Sequence, residues 1–204
     1  MKEHPILFSG EMVEEILSGG KTQTRRVIKP QPVLMSGGIW YPSSNPGDRK
    51  NRTGLHYANE KHMRKGMPID FCPYGQPGDN LWVRESWRPL EDDVPVSKLR
   101  PGDQIYFRAD YIGEALEGQW RPSIHMPHWA SRITLKIVNI RIERVQEITP
   151  IDAALEGFSP DRYQIIDFKN LWNSINAKRG YGWDVNPWVW VIEFVKWADP
   201  RSLF

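Results

Sequence analysis

Residues 131–145 constrain the fold more than any other stretch. Ile133, Leu135 and Ile137, then Ile140 and Ile142, alternate there with Thr134, Lys136, Asn139, Arg141 and Glu143. Alternation at period two marks a strand with one apolar face, and the change of phase at Val138 predicts a bulge. A second strand pattern, Trp188-Val189-Trp190-Val191-Ile192-Glu193-Phe194-Val195, closes the sequence. Two shorter strands follow matching Pro-Gly-Asp turns, at residues 77–84 and 101–108, where the turn launches a run of aromatic and branched residues. Residues 7–10 read as one more short strand, running into a helix.

Helical patterns are fewer. In residues 10–18, Met12, Val13, Ile16 and Leu17 recur at helical spacing, and Gly19-Gly20 supply the stop. Thr149-Pro150 opens a short helix that Gly157 ends. Residues 161–177 form a third helix, with Phe168, Leu171, Trp172 and Ile175 expected toward the core. Strands outnumber helices and do not alternate with them. The expected class is therefore α+β, a mixed β-barrel with flanking helices, and not a doubly wound parallel sheet.

At 204 residues the chain has the length of one domain, or of one domain with a large insertion. From Gln31 to Pro77 no periodicity is sustained, and Gly, Pro, Ser and Asn recur, so residues 31–77 are expected to be a loop-rich insertion left out of the core. Cys72 is the single cysteine. It excludes an intrachain disulfide and any multi-cysteine zinc pattern, and points to a reducing compartment. The first residues, 1–5, lack the apolar run of a signal peptide, and the longest wholly apolar run, Trp188 to Ile192, is too short to span a bilayer. A cytoplasmic location with no membrane partner is the expectation. His125 and His128 flank a proline with no acidic partner nearby, so no metal site and no cofactor is expected.

Residues 21–65 hold ten Lys/Arg and two Asp/Glu, a local +8 against +2 for the whole chain, which leaves −6 on the remainder. Part of the molecule is built to meet anions. The ten tryptophans are many for this length, and aromatic faces beside basic groups suit unstacked bases. Phosphate-loop, Gly-x-Ser-x-Gly and His-Glu-x-x-His motifs are missing from the sequence, so NTPase, α/β-hydrolase and zinc-protease readings lack their basic parts.

Gly19-Gly20-Lys21-Thr22-Gln23-Thr24-Arg25-Arg26 follows an amphipathic helix directly. Together with the Gly-Asp turn and strand at 78–84, the phrase Asp152-Ala153-Ala154-Leu155-Glu156-Gly157-Phe158 and the last strand, it resembles the ASCH domain, the ASC-1 homology branch of the PUA-like barrels. The whole chain is similar to the phage and prophage members. The resemblance implies a curved barrel with a cleft beside the Gly-x-Lys-x-x-x-Arg loop, and binding of RNA or nucleotides. Some small bacterial members are amidohydrolases that deacetylate N4-acetylcytidine through a lysine, a threonine and a glutamate, which the motif match assigns to Lys21, Thr24 and Glu156. The large insertion, and Gly20 where a basic residue is common, depart from those enzymes.

Cleaving an exocyclic amide needs a nucleophile, a base, an acid for the leaving amine and donors for the oxyanion. Thr24 offers the hydroxyl, Lys21 the base and Glu156 the second proton, with Arg26 or loop amides facing the oxyanion. Lysine ordinarily titrates near about 10.4 and must come down by roughly three to act at neutral pH; Arg25 and Arg26 are suitable neighbours. In a straight strand Lys21 and Thr24 point to opposite faces, so the double glycine has to feed a bend. Lys21, Arg25 and Arg26 are also the expected cationic floor for a ligand, joined by some of Arg49, Lys50, Arg52, Lys61, Arg64 and Lys65, with Trp40 and Tyr57 as stacking candidates. Three readings stay open: an RNA- or modified-nucleotide-binding module, an amidohydrolase of N4-acetylcytidine-type nucleosides, and a phage accessory or assembly protein without catalysis.

Overall fold

The computed structural model describes residues 1–35, 38–42, 55–58, 72–90, 94–111 and 118–197. Its main sheet has five strands: β1 (Glu3–Leu7), β2 (Gln23–Val27), β6 (Asn80–Arg84), β9 (Thr134–Arg144) and β10 (Trp188–Trp197), in the order β1-β6-β9-β10-β2. β1 and β6 are parallel and the other pairs antiparallel. The α+β class holds, but the sheet is open, with β1 and β2 at its edges. It is not the closed barrel expected. A ribbon of β7 (Trp87–Pro89) and β8 (Ile105–Phe107) stands apart from it.

β10 explains the run of apolar residues near the C-terminus. Trp188, Trp190, Ile192 and Phe194 enter one core cluster, with Ile6, Val13, Leu81 and Ile140, while Val189 and Val191 enter a second on the opposite face. A central strand covered on both sides has no polar face to display. The bulge falls where the alternation breaks: Glu193 lies opposite Asn139 and Phe194 opposite Ile137. Val138 is left over and exposed, which restores inward phase to Ile137 and Leu135.

Helices α1 (Gly10–Ser18), α2 (Pro150–Leu155) and α3 (Gln164–Asn176) occupy the three expected places. Thr149 caps α2 by accepting from the Asp152 amide, and Asp152 returns a bond to the Thr149 amide, a reciprocal capping box. α3 buries Phe168 and Trp172. Leu171 is only half-buried and Ile175 is exposed, contrary to expectation, because both line a cleft instead of the core.

The segment 31–77 also differs from expectation. β3 (Val33–Met35), β4 (Gly38–Pro42) and β5 (Leu55–Ala58) form an antiparallel three-stranded sheet; strands of three to five residues are too short to show a period. At the end of the segment Cys72 is buried in the first core cluster and Tyr74 packs against it, so this part is not outside the core. No helix among the described residues is long and apolar enough to cross a membrane.

Candidate functional site

The cleft lies along the free edge of β2. Gly19 ends α1 in the left-handed region (φ 87°), its amide bonded to Ile16 O, and the chain turns so that the Lys21 amide bonds Glu15 O at 2.9 Å. Lys21 then forms an isolated antiparallel bridge with Glu156, before β2 begins at Gln23. Between bridge and strand the Thr22 amide donates to Leu155 O at 2.8 Å, which fixes the Glu156 segment beside Lys21. Gly157 completes this arrangement from the other side: it has φ 95°, and a Cβ there would lie 3.1 Å from Glu15 Cβ and 3.4 Å from Lys21 Cβ.

Lys21 and Thr24, three residues apart, and Glu156, more than a hundred residues on, line this one cavity of about 270 Å³. That is close to the lower end of small-molecule sites, about 300–1,000 Å³. Lys21 Nζ donates to Glu156 Oε2 and to the Glu156 carbonyl, both at 2.7 Å. Among the described residues the Thr24 hydroxyl makes no hydrogen bond. Arg26 also lines the cleft; it donates to Leu7 O at 2.6 Å and sits 5.0 Å from the Phe8 ring centroid. Its Nε is buried without a partner among the described residues.

Burial pushes Lys21 below its ordinary value; the Glu156 carboxylate opposes this, and Arg26 and Arg25 reinforce it. Arg25 weakens the opposition by holding the other carboxylate oxygen, Oε1, at 3.3 Å. Burial likewise lowers Arg26, against Tyr74 and Glu156, but a guanidinium stays charged.

Arg25 is the centre of a buried ion network. Besides Glu156 it meets Glu143 at 3.0 Å and Asp152 at 3.3 Å. Arg141 joins Asp152 at 2.6 Å and also meets Glu143 and Glu193. Of the expected floor, Lys21 and Arg25 are compensated by carboxylates, as burial of a charge demands, whereas Arg26 has a main-chain carbonyl and no carboxylate among the described residues. The other expected contributors, Arg49, Lys50, Arg52, Lys61, Arg64 and Lys65, lie outside the described residues. Trp40 and Tyr57 pair across β4 and β5; their side chains, and so their stacking role, lie outside them too.

Sequence reasoning missed Asp152, Glu143 and the aromatic wall of Tyr74, Phe158, Phe168 and Trp172. Asp152 carried a signal: Thr149-x-x-Asp152 is a capping-box spacing, and its carboxylate serves cap and network together. Burial raises Asp152, but the Thr149 amide and hydroxyl, Arg25 and Gln23 outweigh it and hold it at about 2. Its stabilising effect is complete above the ordinary carboxylate range and fades as pH falls toward 2. We expect Asp152→Asn to remove about 2 kcal/mol of that acid-range dependence, read from urea midpoints of both proteins between pH 6 and 2; parallel pH curves would contradict the assignment.

The His128 ring is tilted by 59° against Trp82 with ring centroids 4.8 Å apart. Among the described residues no group of His, Cys, Asp and Glu is arranged to hold a metal ion. Comparison with protein-family models, with curated proteins and with solved structures finds no match. The site is read from its own geometry.

Proposed function

We propose that this chain is an ASCH-type, PUA-like protein whose cleft takes a nucleoside-sized ligand and hydrolyses an exocyclic N-acyl group, as in N4-acetylcytidine. The observation that carries the reading is that Lys21, Thr24 and Glu156 line one cleft with an aromatic wall. Its size suits a base and sugar better than a folded RNA. Carboxylate pairing of Lys21 and Arg25 also disfavours the plain polyanion-binding module, which needs free positive charge.

In this mechanism the neutral amine of Lys21 takes the Thr24 hydroxyl proton as the oxygen attacks the acyl carbon. Arg26 or loop amides supply the donors to the oxyanion. Glu156, hydrogen-bonded to Lys21, relays the proton to the exocyclic nitrogen as the C–N bond breaks. Water then adds to the Thr24 ester under the same base and releases acetate, which restores the hydroxyl. Products are cytidine and acetate, with one water consumed.

The test is acetate release from N4-acetylcytidine by the purified protein. Wild type is expected to turn over, and Thr24→Ala to lose about 10²–10⁴-fold with an unchanged thermal midpoint. An inert wild type would refute hydrolysis.

A further inference from the structure

We infer that the preferred ligand of this cleft is a phosphorylated nucleoside, with its base in the cavity and its phosphate ester at the mouth between Lys29 and Arg179. This rests on the nucleoside-sized reading of the site and adds a second recognition element to it.

The cleft changes character from inside to outside. In the interior, Lys21 and Arg25 are within 2.7–3.3 Å of carboxylate oxygens, and Arg26 bonds a main-chain carbonyl over a phenylalanine ring. Phe168 and Trp172 present rings inclined by only 26° with centroids 6.0 Å apart. Lys21 and Arg25 are thus neutralised and Arg26 is held against a carbonyl and a ring, and with the apolar walls this suits an uncharged planar base.

Lys29 and Arg179 also line the cavity, but both are exposed. Neither has a carboxylate partner among the described residues. They come from different elements: Lys29 lies just beyond β2 and Arg179 just beyond α3. The Lys29 Nζ stands 5.2 Å from the Tyr181 ring centroid, two residues past Arg179, which draws both cations to one rim. Basic residues at the end of α3 complement its macrodipole, and that accounts for charge at Arg179. It does not account for Lys29, which comes from the end of β2. A guanidinium fork and an ammonium across an opening are suited to a phosphate dianion, the fork by two parallel hydrogen bonds.

A ligand neutral at one end and dianionic at the other matches this polarity. Free nucleosides leave the rim unused. Longer strands would have to carry further phosphates past Ile175, which is exposed and apolar at the same wall.

Calorimetric titration of the intact protein with cytidine, cytidine 5′-monophosphate, a short oligocytidylate and inorganic phosphate tests the assignment without relying on turnover. The monophosphate is expected to bind about tenfold more tightly than cytidine at low salt, and the advantage to shrink as salt rises. Arg179→Gln with Lys29→Gln should bring the monophosphate down to the level of cytidine. Equal affinity for cytidine and its monophosphate would overturn the phosphate site and leave the nucleoside cleft standing. Binding of neither would remove both. Tighter binding of the oligocytidylate than of the monophosphate would overturn the mononucleotide assignment, and inorganic phosphate binding undiminished in the double variant would place the anion elsewhere.

Discussion

Lys21→Arg is expected to lose about 10²–10⁴ of the rate of acetate release, although it keeps the positive charge and the Glu156 ion pair. The amine of Lys21 can lose its proton because burial, with Arg26 and Arg25 beside it, pushes it below its ordinary value of 10.5 while Glu156 resists. A guanidinium in the same place stays protonated and accepts nothing. Wild-type activity should accordingly rise with pH through the lowered lysine value, as the neutral amine is populated. Residual activity of the arginine variant should show no such limb. Comparing the two pH–rate profiles, with thermal unfolding as a control for folding, checks this. An arginine variant at the wild-type rate would mean that Lys21 holds Glu156 in place and transfers no proton.

Removing Arg25 should have the largest effect on stability of any single substitution in the site. The residue is 5% exposed and is shared by Glu143, Asp152 and Glu156. Arg25→Met keeps much of the side-chain length but leaves three carboxylates facing one another without their common cation, a change on the order of 3–5 kcal/mol. Urea denaturation at pH 7 measures it. Part of the loss should be recovered below pH 4, where protonation relieves the repulsion. A loss below about 1 kcal/mol would show that Arg141 and Lys21 suffice to neutralise the cluster.

Sequence patterns carried the elements whose residues alternate over long runs. β9, its bulge at Val138 and the doubly buried β10 were legible because each apolar position answers to one sheet face. α1 and α2 were legible through their end signals, Gly19 and the Thr149 cap. The three strands inside 31–77 were not, since runs this short carry no period. Closure of the sheet was not legible either: alternation tells which face of a strand is buried and says nothing of whether the edge strands meet. In the site, Lys21, Thr24 and Glu156 were found by motif, while Glu143 read as an ordinary polar position on the outer face of β9. Its role becomes visible only when β10 joins β9 and β2 in one sheet, so that Arg25 of β2 reaches across β10 to it. Ile175 and Leu171 looked like core because helical spacing cannot distinguish a packed face from the wall of a cavity.

The order of strands in the main sheet also sets a timetable for synthesis. β2, which bears Thr24 and Arg25, has β10 as its sheet neighbour, through residues 189–193. On the ribosome the Lys21 segment is made early, yet at about 5–20 residues per second it waits on the order of ten seconds or more for the strand that holds it. Lys21, Thr24 and Arg25 therefore stay without the sheet neighbour that fixes β2 until β10 has been made and has paired with it. Assembly of the cleft is among the last events in folding of this sheet.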